Sequence, residues 1–157
     1  MNKFTANIAL VLIVVTGLLF FQGCADNPYG AVKVTGTVTL DGEPAEGVTI
    51  AFYPVNAEIR ESFGRTDAQG QFVLTIPGAP IGSGAMPGEY IVGLIKQKCS
   101  TEDMTEAARE RFINAGGLPY PIDLLPSKYS DRNATDIPPV KVERGKKNEF
   151  AFDLFSK

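Results

Sequence analysis

From residue 32 onward, apolar and polar residues alternate with period two, interrupted by clusters of Gly, Pro and Asp. In "VKVTGTVTL" (32–40), Val32, Val34, Val38 and Leu40 fall on one face and Lys33, Thr35, Thr37 and Thr39 on the other, which predicts a half-buried strand. "DGEPAEG" turns the chain, and "VTIAFYP" puts Val48, Ile50 and Phe52 on one face. A short strand is expected around Phe63 and Arg65, and the turn "DAQG" (67–70) leads into "QFVLTIP", with Phe72, Leu74 and Ile76 inward. After the Gly/Pro-rich "GAPIGSGAMPG" comes "EYIVGLIKQ", the most continuously apolar of these runs and so expected at the centre of a sheet. "PVKVE" and "NEFAFDLF" alternate again on either side of "RGKK", with Val140 and Val142, then Phe150, Phe152 and Leu154, facing in. The count is seven strands. Strands that each bury one face predict an all-β, antiparallel two-sheet sandwich.

Two segments depart from this period. Residues 98–127 form an insert that opens with a helical pattern: Ser100 is the expected N-cap, with Asp103 three residues on. Met104, Ala107, Ala108, Arg111 and Phe112 follow at helical spacing, and "NAGG" supplies the stop. The Pro-rich "LPYPIDLLPSKY" then reads as extended chain. The other departure is "IALVLIVVTGLLFF" (8–21), which carries no charge and only Thr16 as a polar residue, behind the singly basic "MNKFTAN". That is the layout of an export signal, with a helical apolar centre too short for the ~20 residues of a membrane-spanning helix. A retained membrane anchor is the competing reading.

Composition narrows the functional classes. Apolar residues make up 44% of the 157 and charged residues 21%, the balance of a folding domain of ordinary size. The net charge of −3, with Lys and Arg scattered, leaves no basic face for phosphates, so nucleic acid is not an expected partner. There is no His, which removes the usual general base and zinc ligand, and no Trp, the strongest stacking platform.

The signal ends in "FFQGC", which resembles the lipobox of bacterial lipoproteins, although Phe21 stands where Leu is usual and Gln22 where a small residue is usual. The resemblance implies that the Cys24 thiol receives a diacylglycerol and that the chain is cut before it. It divides the chain into a signal peptide (1–23), a tether (24–31) and the sandwich domain (32–157). One acyl chain holds only marginally at about 0.8 kcal/mol per buried CH2, so multiple acylation is what makes such an anchor stable. The alternatives for Cys24 are a disulfide with Cys99 or a buried free thiol. If Cys24 is lipidated, Cys99 is unpaired and is expected to be buried and unreactive. Lipoprotein sorting as known from some bacteria turns on the residue after the cysteine; here it is Ala25, with Asp26 one later, which leans towards the outer membrane.

The domain carries its own resemblance. "VTGTVTLDGEPAEGVTIAFYP", "GRTDAQGQFVLTIP" and "MPGEYIVGL" resemble a carboxypeptidase-regulatory-like domain, a transthyretin-related β-sandwich. "LLPSKYSD" followed by "VKVERGKKNEFAFDL" is similar to small lipoproteins of that kind, numerous in planctomycete-type bacteria. The matching stretches are about 32–97 and 124–154. Tyr90 resembles the inward tyrosine that pins a strand entry in such sandwiches, while Asp67 and Gly70 have a sufficient explanation as turn residues. The resemblance implies a fold and a cell address and no reaction. One transthyretin-related branch hydrolyses 5-hydroxyisourate with His, Arg and a Tyr-Arg-Gly-Ser tail; this chain has no His and ends "DLFSK". Catalysis and cofactors are therefore not expected.

Two further groups of residues could carry binding chemistry. Glu102, Asp103 and Glu106 are oxygen donors, but calcium needs six or more converging oxygens and a solvated acidic helix start is the simpler account. Tyr120 and Tyr129, with the Pro-rich run between helix and final strands, could form a platform for a glycan or peptide; otherwise residues 98–127 cap one end of the sandwich with Tyr120, Leu124 and Leu125 packed down. The expected function is thus a lipid-anchored, non-catalytic envelope module that contacts another envelope protein or contributes to surface structure. The alternative is a periplasm-facing binder of glycan or small ligand using loops 78–88 and 98–129.

Overall fold

The computed structural model describes residues 29–133 and 135–157. The expected signal segment, Cys24 and residues 25–28 lie outside the described residues. The described chain is mostly β with one short helix. Its strands are β1 (Val34–Leu40), β2 (Glu43–Pro44), β3 (Thr49–Pro54), β4 (Ser62–Arg65), β5 (Gln71–Val73), β6 (Gly88–Ile95), β7 (Gln97–Cys99), β8 (Pro121–Asp123), β9 (Val140–Val142) and β10 (Asn148–Leu154), with helix α1 (Glu106–Asn114) between β7 and β8.

One sheet is β4-β3-β6-β9, antiparallel throughout, with β3 and β6 central. The other places β10 beside β1, with β2 and β5 sharing the opposite edge of β1. β7 and β8 form a separate two-stranded ribbon. The expected count of seven therefore rises to ten, because tight turns and the insert pair briefly with their neighbours. The all-antiparallel expectation is also corrected: β1 and β10 run parallel over seven register pairs, from Val34 with Asn148 to Leu40 with Leu154.

The two sheets bury their inner faces against each other. Val34, Val38, Phe72, Phe152 and Leu154 of one meet Ile50, Phe52, Tyr90, Val92 and Leu94 of the other. The Phe52 ring lies 5.6 Å from that of Tyr90 and 5.7 Å from that of Phe150, and Phe72 stacks on Phe152 at 6.1 Å, within the range of favourable aromatic pairs. Gly36 makes room for this cluster. It pairs with Phe72 on one side and Phe150 on the other, and a Cβ there would lie 2.6 Å from the Phe72 ring and 2.1 Å from the Phe150 carbonyl oxygen.

One side of the sandwich is closed where the chain passes from β5 towards β4, through the bridge Phe63–Thr75. On the other side, Leu125 and Tyr129 join the core, and the Phe155 N–H donates to the Tyr129 hydroxyl at 3.0 Å. Turn chemistry follows the sequence. Asp67 Oδ1 accepts from Gln69 N–H at 3.0 Å and Gln71 N–H at 2.8 Å, and Gly70 takes φ 71° with its α-carbon against the β1 and β2 backbones. Thr66 is buried and clamps the β2–β3 loop, its hydroxyl donating to Ala45 O at 2.5 Å and accepting from Val48 N–H at 2.8 Å.

Helix α1 differs from expectation in its start and its role. Thr105, not Ser100, is the N-cap, accepting from Ala108 N–H at 3.3 Å, and no helix residue is buried. Ser100 belongs to the ribbon instead, where its Oγ accepts from Tyr120 N–H at 3.1 Å.

Candidate functional site

The chain enters the domain at Tyr29, five residues after Cys24. Residues 29–31, expected in the tether, lie against the domain. The Arg60 guanidinium sits 4.9 Å from the Tyr29 ring centre, Arg144 Nη2 donates to Gly30 O at 3.2 Å, and Ala31 is buried.

The two tyrosines marked as a binding surface do not act together. Tyr120 is 60% exposed beside the β7–β8 ribbon, whereas Tyr129 is 4% exposed and committed to the core. A shared aromatic platform is thereby corrected; the Pro-rich run folds Tyr129 inward because Leu125 and Tyr129 fill the side of the sandwich that no strand closes. Leu124, expected to pack with Leu125, is exposed. The loops of the ligand-binding alternative also lie apart. Loop 78–88 leads into β6, whereas residues 98–123 follow its far end, about 25 Å away along the strand, and only the 124–129 stretch returns beside it.

Cys99 is exposed, which corrects the expectation of a buried thiol. Its Sγ lies 3.2 Å from Thr101 Oγ1, and hydrogen bonding to Thr101 lowers its pKa, with Arg109 adding to the effect and Glu102 opposing it. Of the acidic trio, Glu102 accepts from Cys99 N–H at 3.2 Å, Asp103 pairs with Lys98, and Glu106 lies 3.3 Å from Arg109. Three carboxylates with three different partners are not a metal site, and among the described residues no cluster of His, Cys, Asp or Glu could hold an ion. Tyr90 is fully buried, its hydroxyl donating to Met86 O at 2.8 Å, and burial pushes its pKa up to about 12.

A shallow groove of about 650 Å³ lies on the outer face of the β1 sheet. Thr35 and Thr37 of β1, Gln71 of β5 and Glu149 of β10 form its polar floor, and Arg65 of β4 stands at its wall. Phe63, Val73 and Ile81 supply apolar surface, with Ile81 98% exposed at the lip. Hydroxyls, an amide, two carboxylates, one guanidinium and an apolar lip suit non-covalent contact with a polar ligand. Sequence reasoning missed this groove. Its one legible sign was Ile81, an apolar side chain in a Gly/Pro-rich run with no strand to bury it.

No family model and no curated protein matches the chain. Among solved structures, it is similar to a candidate adhesin from Bacteroides ovatus ATCC 8483, at 16% identity and TM-score 0.43, covering 87% of this chain and 50% of that one. It is also similar to a 9R-lipoxygenase from Cyanothece PCC8801, at 12% identity and TM-score 0.36, covering 80% of this chain and 16% of that one. At these scores neither likeness carries an argument about fold or function.

Proposed function

We propose that this chain is an exported lipoprotein, anchored through acylated Cys24, whose sandwich is a non-catalytic module contacting another component of the cell envelope. The observation that carries the reading is one of order along the chain. The apolar run 8–21 is followed by Gln22, Gly23 and Cys24, and Tyr29, held against Arg60, comes five residues after Cys24. The Ala25–Asp26 order favours the outer membrane. We read the domain as a transthyretin-related, carboxypeptidase-regulatory-like sandwich on its motifs, with the Asp67–Gly70 turn and the inward Tyr90 in support.

Growth with labelled palmitate tests the anchor: the wild type takes up label and Cys24→Ala does not, and equal labelling of the two refutes it. A second reading, a glycan or small-ligand binder, is favoured by the groove between Arg65 and Ile81. Saturation-transfer NMR with envelope saccharides separates the two readings, because a binder loses its signal in Arg65→Ala and a purely structural module gives none.

A further inference from the structure

β10 lies at the edge of its sheet, paired on one side only. Two hydrogen bonds fix which of its backbone groups face outward. Leu154 O accepts from Asp41 N–H on the β1 side, whereas Phe155 N–H points the other way, to Tyr129. Because successive residues of a strand alternate in direction, the N–H and C=O groups of Glu149, Ala151 and Asp153 face away from β1. Among the described residues, nothing bonds to these six groups. Beside Ala151 and Asp153 runs a groove of about 340 Å³ whose other wall is Lys128 and Asp136–Pro138, with Phe152 and Leu154 at its base.

We propose that this edge is a docking site for an extended peptide of a partner protein, which adds a strand to β10. The chemistry defines the peptide. Its backbone pairs with the outward groups of residues 149, 151 and 153. Side chains turned inward meet Phe152, Leu154, Ile137 and Pro138 and are apolar. Side chains turned outward lie beside Glu149 and Asp153 and are basic. Glu149 is ion-paired with Lys147 of its own turn, while among the described residues Asp153 accepts only a hydroxyl bond from Thr39 at 2.7 Å, so Asp153 is the stronger selector. The same acids argue against a second copy as the occupant. Antiparallel pairing of two β10 strands about Ala151 sets Glu149 opposite Asp153 of the other copy on one face, a like-charge contact.

The test uses the full-length chain in detergent micelles and a fluorescent seven-residue probe of alternating Lys and Val, with alternating Glu and Val as the control. The Lys–Val peptide is expected to bind saturably by anisotropy, shifting the amide resonances of Ala151 and Asp153, and the Glu–Val peptide to bind at least tenfold more weakly. Ala151→Pro removes an outward N–H and no bond to β1, so it is expected to keep the fold and lose at least tenfold in affinity. Should that variant not fold, Glu149→Lys with Asp153→Lys decides, by reversing the preference between the two probes. Absence of binding, equal binding of the two peptides, or affinity unchanged by these substitutions overturns the proposal. So does a dimer in sedimentation that Ala151→Pro dissolves, because it makes a second copy the occupant.

Discussion

Replacing Gly36 by alanine probes the closest backbone approach in the sandwich. A Cβ at that position lies 2.1 Å from the Phe150 carbonyl oxygen, where real contacts stay beyond 3.0 Å. The Phe72 ring, 2.6 Å away, can rotate aside; the Phe150 carbonyl belongs to the β10 backbone and moves only if β1 and β10 part locally by roughly 1 Å. That displacement stretches the flanking ladder bonds beyond bonding range. Losing three of them at about 1 kcal/mol each gives a destabilisation of about 3 kcal/mol, at the upper end of the 1–3 kcal/mol typical of overpacked cores. For a domain of this size the melting temperature falls by about 4 °C per kcal/mol, hence by about 12 °C. Gly145→Ala is the control. Gly145 has φ 76° and open space around its α-carbon, so its cost is backbone strain alone, about 1 kcal/mol. Thermal unfolding followed by circular dichroism reads both. A Gly36→Ala variant melting no lower than Gly145→Ala refutes the close parallel pairing of the first and last strands.

Thr66→Val keeps shape but strips the bonds to Ala45 O and Val48 N–H, and chemical denaturation is expected to show a loss of about 2 kcal/mol. The Tyr90 phenol, with a pKa of about 12 against the ~10 of free tyrosine, favours the fold fully below pH ~10. That contribution falls between pH 10 and 12 by about 1.4 kcal/mol per unit, since the unfolded chain releases the proton first; Tyr90→Phe is expected to flatten this part of the alkaline stability curve. Titration with a thiol reagent is expected to find one reactive group, Cys99, per acylated chain and two in a chain left unacylated. Thr101→Val is expected to slow Cys99 labelling at neutral pH, because it removes the hydrogen bond that lowers the thiol's pKa.

Much of the core was legible from alternation alone. Val34 and Val38, Ile50 and Phe52, Phe72, Leu74 and Ile76, and Phe152 and Leu154 are buried as their spacing requires. Alternation assigns a residue to a face and says nothing of which strand lies alongside, so the parallel partnership of β1 with β10 was invisible. The burial of Tyr129 was not legible, because the surrounding prolines erase any period and its hydroxyl bonds to Phe155, remote in sequence. Ser100 carries the capping pattern, with Asp103 three residues on, that Thr105, followed by Ala108, lacks; the β7–β8 ribbon nevertheless claimed Ser100. The candidate groove escaped because it draws on β1, β4, β5 and β10 together, and no single segment of sequence describes it.

The parallel pairing of β1 with β10 also governs how the domain bears mechanical load. The chain enters at the Val34 end of this pair and leaves at the Leu154 end, so tension between the two termini slides the strands past each other. Their seven register pairs then resist together and do not peel open in turn. Attachment of the same force probe at the Asn148 end instead unzips them. Single-molecule pulling is therefore expected to record a higher rupture force through the termini than through residues 34 and 148. A module held at its N-terminal end and pulled from its C-terminal end would be loaded along its most resistant direction.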